Sequence, residues 1–221
     1  MSPLVPGPAP RRVVVLRHGE TDHNAARIWQ GHLDTPLSDL GVEQADAVGP
    51  ALAALSPDRI VSSDLTRARL TAESVGRACG IPVTLDPRLR EIDVGAWQGL
   101  AAAEVADRWP EVQAALGRGE DVRRGEHGET VAEVAERVGA ALTEHLDTLG
   151  PGQCLVVSTH GASGRTLAAW LLGLEHDLAW RVLGALGNCH WAELVEGRAG
   201  WRIQTWNCSS GMVSSAGSPP P

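Results

Sequence analysis

The sequence lacks an excess of basic side chains. Its 221 residues include 19 lysines and arginines against 27 aspartates and glutamates, which gives a net charge of −8. Nucleic acids and anionic membrane surfaces need a basic face on their protein partner, so this balance argues against both. A small anionic ligand is still compatible with it, because a local cluster of arginines outweighs a distant acidic surface.

Long apolar runs and paired cysteine motifs are missing as well, and eight tryptophans are the whole aromatic content. No apolar stretch approaches the roughly 20 residues that a membrane-spanning helix requires. The proline-rich start, MSPLVPGPAP, lacks the apolar core of a secretory signal peptide. The scattered cysteines favour reduced thiols over a disulfide framework or a metal site: Cys79, Cys154, Cys189 and Cys208. We therefore expect a cytoplasmic protein without a metal ion or cofactor.

Strand-like and helix-like segments alternate along the chain. Apolar, β-branched runs predict strands at 11–16, 59–63, 81–85 and 154–160, and a hairpin formed by 189–197 and 200–206. Helical spacing and capping residues predict helices at 38–55 with Ser38 as N-cap, from Asp64 to about Cys79, from Glu129 to Leu149, and from 161 to 172. This alternation indicates an α/β fold, a three-layer sandwich with a mainly parallel central sheet flanked by helices.

The same pattern indicates a single domain over residues 11–207. Residues 1–10 are expected to be a disordered segment, and 208–221 a C-terminal tail that is flexible at least from residue 216.

Three predicted strands end in polar groups that can do chemistry. In parallel sheets, ligands bind beyond the carboxyl ends of the strands, so these groups are expected to share one pocket. The guanidiniums of Arg17 and Arg67 and the imidazoles of His18 and His160 would hold a phosphoryl group in this pocket. Arginine suits this role because it donates paired hydrogen bonds to phosphate oxygens. A histidine nitrogen can carry the phosphoryl group while the arginines stabilise the transition state. The glycines that follow the histidines are expected to let substrate approach. The groups are Arg17-His18-Gly19, Ser62-Ser63-Asp64 with Arg67 one turn later, and Thr159-His160-Gly161.

The ordered motifs of the chain resemble those of the histidine phosphatase superfamily, which also contains the cofactor-dependent phosphoglycerate mutases. The motifs are LRHGET at 16–21, SSDLTRARLTA at 62–72, LREIDVGAWQG at 89–99, GET at 128–130 and STHG at 158–161. The resemblance implies a phosphoglycerate mutase-like fold and His18 as the nucleophile that becomes phosphohistidine. It also implies that Glu91 donates a proton to the leaving oxygen and later activates water. Phosphoryl or substrate binding is implied for Arg17, Asn24, Gln30, Arg67, His160 and Gly161, with Glu91 also facing the substrate.

Within the superfamily, residues 187–191 and 206–215 resemble phosphatases that act on glucosyl-3-phosphoglycerate. This implies that the partner of the chain is a small phosphorylated metabolite, namely that compound or a related phosphorylated sugar or glycerate, and it suggests a homodimer.

Other interpretations stay open at this point. A cofactor-dependent phosphoglycerate mutase would use the same residues, although the short connection between GAWQGL and GET favours a phosphatase. A broad-specificity acid phosphatase and a catalytically inactive phospho-ligand-binding domain are further alternatives. A serine hydrolase would need G-x-S-x-G, whereas GASGR at 161–165 ends in arginine. Glu91 could also form an ion pair with Arg88 or Arg90. His32 is expected at the surface, with a position near the mouth of the pocket as the alternative.

Overall fold

The computed structural model describes residues 9–213, and one six-stranded sheet lies at the centre of that part of the chain. The strands are β1 (Arg12–Arg17), β2 (Arg59–Ser62), β3 (Val83–Leu85), β4 (Cys154–Thr159), β5 (Trp191–Gly197) and β6 (Gly200–Cys208). Their spatial order is β3-β2-β4-β1-β5-β6. β1, β2, β3 and β4 are parallel to one another, and β5 of the hairpin β5–β6 pairs with β1 in antiparallel orientation.

Helices connect the strands and cover both faces of the sheet. They are α1 (Asp22–Ala25), α2 (Asp39–Ala53), α3 (Thr66–Cys79), α4 (Ala102–Arg108), α5 (Pro110–Gly117), α6 (Val131–Asp147), α7 (Gly161–Leu172), α8 (His176–Val182) and α9 (Ser210–Val213). Two short 3₁₀ turns lie at Pro87–Leu89 and Gly95–Trp97. The sequence does not predict the short helices α1, α4, α5, α8 and α9, because each has at most eight residues and shows little periodicity.

The apolar side chains of β1 point alternately to the two faces of the sheet, and this explains the three layers. Successive residues of a strand point to opposite faces, so Val13 and Val15 face one core while Val14 and Leu16 face the other. The first core is closed by α6 and α7 through Val134, Val138 and Leu167, and the second by α2 and α3 through Val48, Leu52 and Val75. The predicted α/β sandwich with a mainly parallel sheet is confirmed.

The start of α3 corrects one prediction. Asp64 does not cap this helix, because α3 begins at Thr66 and Leu65 stands at the capping position without a side-chain hydrogen bond. The Asp64 carboxylate instead pairs with Arg90, with 2.5 Å between Oδ2 and Nη2. Asp34, from the loop after α1, accepts hydrogen bonds from the Thr66 backbone N at 2.6 Å and from its Oγ1 at 2.9 Å. Asp34 thus caps α3 from 32 positions earlier in the chain, and no local sequence pattern could indicate this.

The other predicted elements are present with bounds shifted by a few residues. Ser38 caps α2 by accepting a hydrogen bond from the Gly41 backbone N at 3.1 Å, and α6 begins after a capping box formed by Thr130 and Glu133. No helix among residues 9–213 has the length and apolarity needed to cross a membrane. The predicted limits of the domain remain predictions, and residues 1–8 and 214–221 lie outside the described part.

Candidate active site

A cavity of about 480 Å³ opens at the carboxyl edge of the sheet, where β1, β2 and β4 end. This edge brings together the site residues that were predicted from three remote segments. The parallel register pairs Arg17 with Thr159 and Ser62 with Ser158, so the strand ends lie side by side. Of the predicted site residues, those that line the cavity are Arg17, His18, Asn24, Gln30, Arg67, Glu91 and Gly161.

His18 lies at the base of the cavity with 3% of its surface exposed. Its backbone N donates to the Thr159 carbonyl oxygen at 3.0 Å, and its Nδ1 lies 2.6 Å from the Gly19 carbonyl oxygen. A carbonyl can only accept, so Nδ1 carries the proton and Nε2 keeps its lone pair. Burial, with the positive charges of Arg67 and Arg17, lowers the pKa of the His18 imidazole well below its usual value. The ring is therefore neutral near pH 7.

The backbone around His18 is held by close packing against α2 and α3. Thr71 Oγ1 accepts a hydrogen bond from the Gly19 backbone N at 3.0 Å and donates to the Arg67 carbonyl oxygen at 2.8 Å. A Cβ on Gly19 would lie 2.5 Å from the Gly41 carbonyl oxygen. Gly19 is therefore required for contact with the first turn of α2, and the predicted reason, access of substrate, stays a prediction.

Gly161 differs from Gly19 in this respect. A Cβ at this position would lie 3.6 Å from Glu91 Oε2 and 3.8 Å from Arg17 Cζ, which are ordinary contact distances. Because Gly161 has no side chain, the space beside the Glu91 carboxylate and the Arg17 guanidinium stays open.

Two arginines are anchored by backbone carbonyls rather than by carboxylates. Arg17 Nη1 donates to the Leu186 carbonyl oxygen at 2.7 Å, and Arg67 donates through Nη1 and Nη2 to those of Leu33 and Gly31 at 2.7 and 2.9 Å. The Nε atoms of both arginines are buried and have no partner within residues 9–213. Burial lowers the pKa of Arg67 to about 10, so it is still charged at neutral pH. The guanidiniums of Arg17 and Arg67 therefore keep positive charge and N–H donors that can bind an anion in the cavity.

Glu91 is positioned by the first turn of α7. Its Oε1 accepts from the backbone N of Ser163 at 3.0 Å and of Ile92 at 2.9 Å, and its Oε2 accepts from Ala162 N at 3.2 Å. Carboxylates are favoured at a helix N-terminus, where free amides and the helix dipole meet them. The ion pair proposed as an alternative is not formed: Arg90 pairs with Asp64, and Arg88 with Asp86 and Glu144.

His160 lies behind the cavity wall, completely buried, with its ring centroid 5.1 Å from that of His18. Its Nε2 is hydrogen-bonded to Ser63 Oγ at 2.9 Å. Burial and the charge of Arg67 lower the pKa of His160 well below its usual value. Its Nδ1 is buried without a partner in the described part of the chain. The second imidazole is therefore neutral as well and touches the first.

The two amide side chains expected in the site are tied down by their oxygens. Asn24 Oδ1 accepts from the Thr21 backbone N at 3.2 Å, and Gln30 Oε1 accepts from Thr21 Oγ1 at 3.1 Å. Asn188 Nδ2 donates to the His18 carbonyl oxygen at 3.1 Å and to Asn24 Oδ1 at 3.3 Å. Asn188 is thus a supporting residue, which the sequence indicated only through the resemblance of residues 187–191.

Several residues lie near the site without having been predicted as site residues. His32 is half-buried with Nε2 2.8 Å from the Glu91 carbonyl oxygen, which agrees with the alternative position near the pocket and not with the expected surface position. The outer cavity is lined by Arg27, Trp29, Arg165 and Trp180. Nothing in the spacing of these residues distinguishes them from surface or core positions.

Ser163 lacks the position that a nucleophilic serine needs. It is buried within α7, and its Oγ donates to the Arg90 carbonyl oxygen at 2.7 Å. This geometry excludes the serine-hydrolase interpretation of GASGR.

The chain belongs to the histidine phosphatase superfamily (branch 1), whose family model matches residues 13–209. Glucosyl-3-phosphoglycerate phosphatase of Mycolicibacterium vanbaalenii is 42% identical to it, with 92% of this chain and 97% of that protein covered. The Mycobacterium tuberculosis (strain ATCC 25618 / H37Rv) protein of the same name is 38% identical, over 93% and 97%. The predicted family and the prediction of a phosphatase are confirmed.

A solved structure and a mutase-like relative complete the comparison. The structure of mycobacterial glucosyl-3-phosphoglycerate phosphatase in complex with VO3 matches with a TM-score of 0.84 at 37% identity, covering 90% of this chain and all of that chain. The probable phosphoglycerate mutase GpmB of Cronobacter sakazakii is 35% identical, over 93% of this chain and 92% of that protein. The chain is therefore similar both to relatives named as phosphatases and to one named as a probable mutase. The geometry of the site has to decide between these two activities.

Proposed function

We propose that the chain hydrolyses phosphomonoesters through a phosphohistidine intermediate on His18. The observation that carries this proposal is the hydrogen bond from His18 Nδ1 to the Gly19 carbonyl, because it leaves Nε2 with a free lone pair at the base of a cationic cavity. A buried neutral imidazole needs no proton removed before it attacks phosphorus.

In the first step His18 Nε2 forms a bond to phosphorus while the ester P–O bond breaks. Arg17 and Arg67 stabilise the charge on the equatorial oxygens, and a protonated Glu91 gives its proton to the leaving oxygen. In the second step Glu91 accepts a proton from water, whose oxygen attacks phosphorus as the N–P bond breaks and its electrons return to Nε2. Phosphate leaves, and the proton taken from water replaces the one that Glu91 gave in the first step.

The mouth of the cavity favours transfer to water over a mutase reaction. Arg27 and Ala102, which line it, are exposed, so the cavity is open to solvent on that side. A mutase must instead keep water from its phosphoenzyme. Comparing phosphate release from 3-phosphoglycerate with its conversion to 2-phosphoglycerate, with and without 2,3-bisphosphoglycerate as primer, decides between the two activities.

For the substrate we propose glucosyl-3-phosphoglycerate or a closely related phosphorylated sugar or glycerate. The support is the name shared by relatives at 38–42% identity that cover more than nine-tenths of the chain. Kinetics on a panel with glucosyl-3-phosphoglycerate, 3-phosphoglycerate and common sugar phosphates tests this choice. A flat kcat/KM across the panel would favour a broad-specificity acid phosphatase.

We further propose that the protein works in the cytoplasm as a homodimer. The dimer is supported by an exposed apolar pair one turn apart on α8, Leu178 and Val182, which are 41% and 58% exposed. Light scattering should give a dimer mass for the wild type and a monomer mass for Val182→Glu. Fractionation of the cells that make the protein tests the location.

Trapping of the intermediate tests the chemistry. A rapid acid-free quench with ³²P-labelled substrate should leave label on the wild-type chain that is lost in acid and kept in alkali. His18→Ala should remove both label and turnover while the circular dichroism spectrum is retained. His127→Ala, at an exposed histidine outside the cavity, is the matched control and should keep both. Turnover that survives in His18→Ala would end the assignment of the nucleophile.

A further inference from the structure

Arg165 is a half-buried cation at the outer wall of the candidate active site. It extends from the second turn of α7 into the cavity, and its guanidinium carbon lies 3.7 Å from the ring centroid of Trp180 on α8. Its Nε is buried and has no partner within residues 9–213. The stacked ring fixes the plane of the guanidinium, since arginine packs flat on aromatic faces.

Among residues 9–213, no carboxylate forms an ion pair with Arg165. Glu91 is the acidic group that acts on it, but only at long range, because the Glu91 oxygens are engaged by the amides of α7. Burial lowers the pKa of Arg165, yet the side chain is still charged at neutral pH. Comparable arginines outside the cavity do have carboxylate partners: Arg90 with Asp64, Arg124 with Asp121 and Arg137 with Glu129.

A partly desolvated cation whose buried Nε has no acceptor among residues 9–213 is costly, so this arrangement fits a site whose acceptor arrives with the substrate. The phosphoryl group is already served by Arg17 and Arg67 at the base of the cavity. One guanidinium with one face covered by Trp180 presents its donor edge to a planar, singly charged group, and a carboxylate matches that edge in shape and charge.

We propose that Arg165, oriented by Trp180, binds the carboxylate of the substrate, so that the enzyme selects phosphomonoesters of carboxylic acids over their neutral analogues. This inference rests on the proposed phosphatase function. It adds a residue that sets specificity at the opposite end of the substrate from the phosphorus atom.

A pair of nearly isosteric substrates tests the proposal. 3-Phosphoglycerate and glycerol 3-phosphate differ in having a carboxylate or a hydroxymethyl group at one end. The wild type should prefer 3-phosphoglycerate, and Arg165→Met should lower the ratio of the two kcat/KM values at least tenfold, as expected for loss of a charge-assisted hydrogen bond. Trp180→Leu should lower the ratio less, because the cation is still there but is no longer oriented.

Controls separate recognition from a structural effect. Arg181→Met alters the exposed arginine next to Trp180 that pairs with Asp177, and it should leave the ratio unchanged. An equal fall of both kcat/KM values in Arg165→Met, or a wild type without preference for the carboxylate, would overturn the proposal. If Arg165→Met does not fold, Arg165→Gln takes its place in the same comparison. Competitive inhibition of the wild type is a second measurement: glycerate should inhibit more strongly than glycerol, and equal inhibition would overturn the proposal. A wild type inactive on every phosphomonoester would instead refute the proposed function itself.

Discussion

Acid should destabilise this protein in a way that reports directly on its two buried imidazoles. His18 and His160 are 3% and 0% exposed, and burial beside Arg67 lowers the pKa of each well below the ordinary value of 6.5. In the unfolded chain both histidines regain that ordinary value. Below pH 6.5 the unfolded state therefore binds more protons than the native state, so stability falls as the pH falls.

The size of the effect follows from linkage. Each proton that is bound by the unfolded but not by the native state changes the free energy of unfolding by about 1.4 kcal/mol per pH unit. Over the 1.5 units between pH 6.5 and pH 5.0, each histidine that stays neutral in the native state costs up to about 2 kcal/mol. Together His18 and His160 can remove about 4 kcal/mol, a large part of the stability of an ordinary domain.

Urea unfolding at a series of pH values between 5.0 and 7.5 measures this loss. His18→Gln and His160→Gln should each flatten the pH dependence by up to about 2 kcal/mol over that range. Carboxylates that lose their ion pairs at low pH contribute equally to all variants and cancel in the comparison. His127→Gln, at an exposed position, should keep the wild-type slope. If His18→Gln and His160→Gln both kept the wild-type dependence of the unfolding free energy on pH, the two imidazoles would not be neutral in the native state below pH 6.5. The proposal of a neutral His18 nucleophile would then be refuted.

The remaining predictions concern the residues around the nucleophile. Glu91→Gln should reduce kcat far more for sugar phosphates than for p-nitrophenyl phosphate, because only poor leaving groups need the proton; an equal reduction speaks against the acid role. Gly41→Ala should destabilise the fold by about 1–3 kcal/mol in urea, because its Cβ would lie 2.0 Å from the Glu20 carbonyl oxygen. Gly117→Ala, with open space around the new Cβ, is its control and should be neutral or stabilising. Thr71→Val should cost about 1–3 kcal/mol and lower kcat, since it leaves the Gly19 amide without its acceptor; wild-type values for both would remove Thr71 from the support of His18.

Much of this molecule could be predicted from the order of its residues. The continuous apolar run VVVL at 13–16 determines that both faces of β1 are buried, and the polar groups after β1, β2 and β4 determine where a ligand can lie. These features depend on residues that are close in the chain or on a topology that parallel strands impose. Local patterns therefore predicted the fold class, the position of the cavity, the histidine at its base and the second histidine behind its wall.

The state of the chemical groups was decided only in three dimensions. The tautomer of His18 depends on a single carbonyl within its own loop, whose conformation depends on Gly41 and Thr71. Glu91 meets amides that lie more than 70 positions further along the chain, and Asp34 caps a helix 32 positions away. Hydrogen bonds and desolvation act over a few ångströms regardless of distance in sequence, so protonation and orientation follow from the packed neighbours that folding brings into contact.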